Sequence, residues 1–330
     1  MQYIPIHKIP YTSSVDGTGP LYADMMFSVD GRPKPLLVVM HGFGGDRALV
    51  SQDIHDLAAR GLFCIAPDMR GRGESAGKFD ACGLDVHDIL DAILEAIRMF
   101  PGEIDTRNIN ICGYSGGGGN SFAAFARFPD LFHVIAPFFG IADFGAWHRL
   151  HETYDKMLDD IFGGTPEQLP LNYAARNFTL AAANNPSARL HIFWDEEEKT
   201  CDPVMNEDFI KAYRAAGHDR LTVHLSKKDD AVRWLHGYRT DHPLLAKGDD
   251  IIVKEIFSSP ADNALPSKGT LTVCGYVVTK DFQVFIEDGQ RGVVKIAYDL
   301  TGATPEVTVV ENPDNLPVNI SLDTPLAIFK

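Results

Sequence analysis

At 330 residues with 45% hydrophobic content, the chain is long enough for one large packed domain and a smaller companion. A formal charge of −15, with Lys227-Lys228 followed at once by Asp229-Asp230, excludes the clustered basic surface that a nucleic-acid partner requires. Five cysteines without a CxxC pair suggest neither a disulfide framework nor a zinc site. No apolar run approaches the ~18–20 residues of a spanning helix, and the N-terminus lacks a signal pattern, so a cytoplasmic protein with no membrane partner is expected.

Two β-rich runs, 4–12 and 21–29, precede a buried-strand pattern at 36–40, with a turn at Asp30-Gly31. They read as an antiparallel lead-in. The run 36–40 leads directly into His41-Gly42-Phe43-Gly44-Gly45. From there helix-like and strand-like segments alternate: 51–60, 62–66, 84–100, 109–112, and a helix opened by glycines 116–119. Such alternation predicts a parallel sheet with helices on both faces. Val86, Ile89, Leu90, Ile93, Leu94 and Ile97 recur at helical spacing and should face that sheet.

Gly113-Tyr114-Ser115-Gly116-Gly117 sits where the apolar run Asn110-Ile111-Cys112 meets the next helix. This is the sequence form of a nucleophile elbow, in which a serine stands at a strained strand-to-helix turn and flanking glycines avoid collision with nearby backbone. A phosphate-binding loop is the competing reading of the glycines, but no Gly-Lys-Ser/Thr follows and the dinucleotide spacing fails. An acyl-transfer reaction then needs two backbone donors for the developing oxyanion. Gly116, directly after the serine, is one; Phe43, in the loop after the third strand, is the other. His41 is read as a brace for that loop.

After the strand pattern 133–137, the aromatic-rich stretch 138–185 interrupts the sheet and reads as a cap that excludes water and shapes a substrate pocket. Phe43, Tyr114, Phe139, Phe144 and Trp147 are the pocket candidates, with Phe138, Tyr154 and Tyr173 as further aromatics of the cap. His148 and His151 are three apart, yet no companion ligands stand at metal spacing, so packing or surface roles are expected and no metal is assigned. The sheet resumes at 190–194, followed by a helix at 205–216 and a last strand at 220–226. Beyond the linker-like 258–267, alternating segments at 270–278, 282–286, 293–298, 306–310 and 318–322 predict a small all-β domain. The expected division is 1–257, with the cap at about 138–187, and 258–330.

The three motifs His41-Gly42-Phe43-Gly44, Pro67-Asp68-Met69-Arg70-Gly71-Arg72-Gly73-Glu74-Ser75 and Gly113-Tyr114-Ser115-Gly116-Gly117, in this order, resemble the α/β-hydrolase superfamily over about residues 20–257. Ile161-Phe162-Gly163-Gly164-Thr165-Pro166 through Tyr173 resembles a segment of the prolyl-oligopeptidase-like branch and its esterase relatives. The resemblance implies the order serine, acid, histidine. It places the acid after the 190–194 strand, within Asp195-Glu196-Glu197-Glu198 to Asp202-Pro203, and counting back from Gly217 favours Glu198, with Asp202 as rival and Asp195 third. The base must follow the last strand, where His236, beside Gly237, is preferred to His242. The residues 227–233 form an insertion before it.

The reading that follows is a serine hydrolase of carboxylic esters, acting on a small-molecule ester without a cofactor. Ser115 is the nucleophile, His236 the base, Glu198 or Asp202 the orienting acid, and Phe43 with Gly116 the oxyanion hole. The alternatives are a peptidase of the same branch, and a non-catalytic scaffold whose C-terminal β-domain mediates interaction or homo-oligomer contact.

Overall fold

A computed structural model describes residues 2–236, 243–258 and 263–330, without the side chains of residues 2 and 243–246. Its main sheet has eight strands in the order β1-β2-β4-β3-β5-β6-β7-β8: β1 (Gln2–Tyr11), β2 (Leu21–Val29), β3 (Lys34–Met40), β4 (Phe63–Pro67), β5 (Ile104–Tyr114), β6 (Phe132–Phe138), β7 (Arg189–Asp195) and β8 (Leu221–Ser226). β1 pairs antiparallel with β2, and β2 with β4; from β4 onward every pairing is parallel. β3, β4 and β6 are buried along their whole length, which is why they read as unbroken apolar runs rather than alternating ones.

Helices α1 (Ser51–Ala58), α2 (Asp85–Met99), α3 (Gly116–Arg127), α7 (Pro203–Ala215) and α8 (Pro243–Ser258) connect or follow these strands. α2 buries Val86, Ile89, Leu90 and Ile93, the stripe expected from the sequence, while Leu94 and Ile97 are partly buried against the same core. α3 is buried on every side, because the main sheet covers one face and the C-terminal strands cover another. The excursion between β6 and β7 holds α4 (Phe144–Leu150), α5 (Glu152–Phe162) and α6 (Pro170–Ala174). No helix among the described residues is long and apolar enough to cross a membrane.

The C-terminal segment forms a six-stranded antiparallel sheet from β9 (Lys268–Cys274), β10 (Tyr276–Val278), β11 (Gln283–Ile286), β12 (Val293–Asp299), β13 (Glu306–Glu311) and β14 (Val318–Ser321), in the order β13-β12-β9-β10-β11-β14. The single run expected at 270–278 is broken at Gly275, whose φ of 77° divides β9 from β10. This sheet has its own apolar cluster around Val273, Val284, Val294 and Ile296. Cys274, Tyr276, Val278, Leu326 and Phe329 instead join the core of the main body.

Two buried guanidiniums stitch the parts together. Arg127, at the end of α3, donates to the carbonyls of Cys82, Gly83, Ala175 and Cys274 and lies 4.4 Å from the centre of the Tyr276 ring. Arg176 donates to the carbonyls of Asp80, Ala81 and Gln290 and to the Gln290 side chain.

Candidate active site

Ser115 separates β5 from α3 with φ 56° and ψ −118°, a left-handed conformation that a residue with a Cβ adopts only where the surrounding structure enforces it. The enforcement is visible at the adjacent glycines. A Cβ on Gly113 would lie 2.2 Å from the Gly117 carbonyl oxygen, and one on Gly117 would lie 2.4 Å from that of Met40. Only bare backbone fits between β3 and α3. The turn therefore holds the serine hydroxyl at the C-terminal ends of the strands, over the cavity.

That cavity, about 590 Å³, is lined by Gly42, Phe43, Gly44, Gly45, Leu49, Arg72, Tyr114, Ser115, Phe139, Trp147, Tyr154, Met157, Thr200 and His236. Of the pocket aromatics expected from sequence, Phe43, Tyr114, Phe139 and Trp147 reach it. Phe144 does not. Its ring is fully buried behind the wall, 5.9 Å from Phe43 and 6.0 Å from Trp147, so it supports the lining rather than forming it. Tyr154, which stacks on Trp147 at 4.8 Å, is in the lining.

His236 enters from the loop after β8, its ring 4.7 Å from that of Phe139. Glu198 backs it: Oε1 lies 3.3 Å from His236 Nδ1, and Oε2 accepts the His236 backbone N–H at 2.8 Å. The same carboxylate accepts the N–H groups of Thr200 at 2.6 Å and Cys201 at 3.2 Å. Burial works to raise the Glu198 pKa, but the hydrogen bond and charge of His236 and these backbone donors outweigh it, so the group sits below its ordinary value and is held ionised.

The rival carboxylates are committed elsewhere. Asp202 caps α7 by accepting the Val204 N–H at 2.9 Å. Asp195 is buried between the Ser226 hydroxyl, at 2.6 Å, and the Arg233 guanidinium, at 2.5 and 2.8 Å. That clamp also fixes the path of the 227–233 insertion: Arg233 reaches back to Asp195, and Trp234 N–H donates to Ser226 Oγ, which delivers His236 to the cavity mouth. His242, the sequence alternative for the base, lies outside the described residues.

The expected oxyanion donors flank the serine. Gly116 opens α3, so its N–H is one of those without an acceptor inside the helix. A Cβ there would meet the Phe43 ring at 2.1 Å, which places residue 43 directly over the elbow. His41 Nδ1 donates to the Gly42 carbonyl at 2.8 Å while Nε2 accepts the Met69 N–H at 3.2 Å, so this buried imidazole is the neutral Nδ1–H form and braces the loop. Cys201 went unnoticed in the sequence. Its side chain is fully buried, and burial pushes the thiol pKa well up, so it is a neutral thiol. His148 is taken up by Asp159, at 2.9 Å.

Comparison with known proteins finds the same fold. The family described as serine aminopeptidase S33 matches residues 31–177. No curated protein matches the sequence. Among solved structures, the acylaminoacyl peptidase of Pyrococcus horikoshii is similar with a TM-score of 0.66 at 18% identity, covering 81% of this chain and 43% of its own. A puromycin-hydrolyzing peptidase of Mycobacterium tuberculosis gives 0.62 at 19% identity, with 77% and 39% covered. An esterase of Pyrococcus furiosus gives 0.56 at 12% identity, with 77% and 91% covered. The chain thus spans about two fifths of the length of the two peptidases and nearly all of that of the esterase.

Proposed function

We propose that this chain, which has the α/β-hydrolase fold and matches the serine aminopeptidase S33 family over residues 31–177, is a serine hydrolase that cleaves small carboxylic esters through an acyl-enzyme. The observation that carries the reading is the convergence on one cavity of a serine held at a strained elbow and a histidine backed by a buried, ionised carboxylate. His236 takes the proton as Ser115 Oγ attacks the acyl carbon. The Phe43 and Gly116 N–H groups meet the resulting oxyanion, and Glu198 stabilises the imidazolium. Collapse expels the alcohol, which receives the proton from His236. Water, deprotonated by the same imidazole, then releases the acid and restores the serine.

The aromatic walls suit an acyl or aryl group and exclude water from the reacting centre. Amide cleavage is the second reading, favoured by the peptidases among the similar structures and by the S33 match. A panel of p-nitrophenyl esters, feruloyl and acetyl-sugar esters, and aminoacyl anilides separates them. Dominant ester turnover, lost in Ser115→Ala together with labelling by a serine-directed phosphonate, is the expected result. Dominant anilide turnover would make the chain a peptidase, and phosphonate labelling at another serine would remove Ser115 as nucleophile.

A further inference from the structure

The sequence Met69-Arg70-Gly71-Arg72-Gly73-Glu74 carries two arginines with opposite fates. Arg70 turns inward and is neutralised by Asp88, at 2.8 Å through two bonds, and by Asp16, at 2.8 Å. Arg72 turns into the catalytic cavity. The flanking glycines make this possible: both are left-handed, at φ 67° and 55°, and a Cβ on Gly71 would strike the Phe79 backbone nitrogen at 2.5 Å. The guanidinium lies over the Phe79 ring, 4.0 Å from its centre, and its Nε is buried without a hydrogen-bond partner. No carboxylate pairs with it among the described residues. The nearby acids are already spent, since Arg47 holds Asp24, Asp68 and Glu74, and Lys8 shares Glu74. Burial, unopposed, lowers the Arg72 pKa; a guanidinium nonetheless stays protonated in a protein.

A partly desolvated cation facing a substrate cavity is costly to leave unpaired, and in such a site a charge-assisted bond to an arriving anion is stronger than in water. The position of Arg72 selects which part of the substrate that is. Arg72 lies over Phe79, which packs on Phe43 at 4.8 Å, the residue that sits over Gly116 on the oxyanion side, whereas His236 rests on Phe139. The leaving group departs on the His236 side, because that imidazole returns its proton. The geometry points to Arg72 as a specificity residue that binds a carboxylate on the far end of the acyl group, so that the substrates are half-esters or half-amides of dicarboxylic acids. This rests on the serine-hydrolase reading, which supplies the acyl and leaving sides.

The test uses three esters of matched length: one neutral, one with a carboxylate ending the acyl chain, and one with a carboxylate on the alcohol, each followed by titration of the released acid. Wild type should favour the acyl-carboxylate ester in kcat/KM, Arg72→Gln should reduce that preference over the neutral ester by about 10- to 100-fold, and Arg72→Lys should keep part of it. A preference unchanged in Arg72→Gln, a wild type that favours the neutral ester, or a loss that follows the carboxylate on the alcohol would overturn the proposal. Calorimetric binding of the free dicarboxylate to Ser115→Ala and to Ser115→Ala/Arg72→Gln judges Arg72 apart from turnover. Binding at least ~10-fold weaker in the double variant supports it and equal binding refutes it, whereas residual turnover by Ser115→Ala would refute only the nucleophile.

Discussion

Glu198 and Asp202 stand four residues apart in one acidic loop, and the hydrogen bonds each accepts separate their roles. Glu198 is spent on His236 and on two backbone donors beside it, while Asp202 is spent on the first turn of α7. Glu198→Gln should therefore lower turnover by up to ~10⁴ with only a modest fall in melting temperature, because the amide keeps the shape but loses the charge that favours the productive tautomer and the imidazolium, and its NH2 cannot accept one of the backbone N–H groups the carboxylate holds. Asp202→Ala should do the reverse, costing about 1 kcal/mol of stability through the lost cap while turnover holds. Steady-state kinetics and thermal denaturation of both variants decide the assignment; inactivity of the Asp202 variant at wild-type stability would move the acid to that residue. The serine was legible in the sequence because an elbow is a local pattern, five residues long. Arg72 was not, since its free charge results from how Arg47 and Lys8 dispose of acids that come from separate segments of the chain.

Glycines of the Ser115 turn and of the loop after β3 differ sharply in what surrounds them, and this sets the tolerance of each element. A Cβ on Gly117 would lie 2.4 and 2.6 Å from the Met40 and His41 carbonyl oxygens, backbone that cannot step aside without separating α3 from β3. Nothing lies within 4 Å of the same position on Gly44. Gly117→Ala should consequently cost ~3 kcal/mol or more, or fail to fold, whereas Gly44→Ala should change stability by no more than ~0.5 kcal/mol. Chemical denaturation of the two variants checks this, and a Gly117→Ala protein of wild-type stability would mean the elbow is looser than its contacts imply. At this scale the sequence marked β2 and β6 closely, because buried strands are bounded by strong turn residues. It missed the start of β5 at Ile104, where the polar Asp105-Thr106-Arg107 carries no apolar signal although the strand's first residues pair with β3. It also could not trace the 227–233 loop, whose course depends on Arg233 meeting Asp195 across the chain.

In the whole molecule the C-terminal sheet is part of the body that carries the site. The alternating segments beyond residue 267 marked a small all-β domain, but only the fold shows Tyr276 and Cys274 completing the packing around Arg127 at the end of α3. Asp130, just beyond that helix, joins the same seam by accepting the Lys280 backbone N–H at 3.0 Å through one oxygen. Its other oxygen is buried without a partner. Burial raises its pKa to about 7, against the lowering influence of the Lys280 N–H and charge. The sign of the consequence follows from proton counting. Below about pH 4 the carboxyl is protonated whether the chain is folded or unfolded, and it leaves stability independent of pH. Between about pH 4 and 7 the unfolded chain releases this proton and the folded one keeps it, so the contribution of Asp130 to stability falls as pH rises, and above about pH 7 the penalty is complete. Asp130→Asn retains an oxygen for the Lys280 N–H and cannot ionise. It should be more stable than wild type at pH 8 by a few kcal/mol, since each tenfold difference in proton affinity between the folded and unfolded chain is worth about 1.4 kcal/mol, and the advantage should shrink toward zero at pH 4. Urea denaturation of both proteins across that range reads the difference directly; a gap that does not change with pH would show that the seam already admits the charged carboxylate.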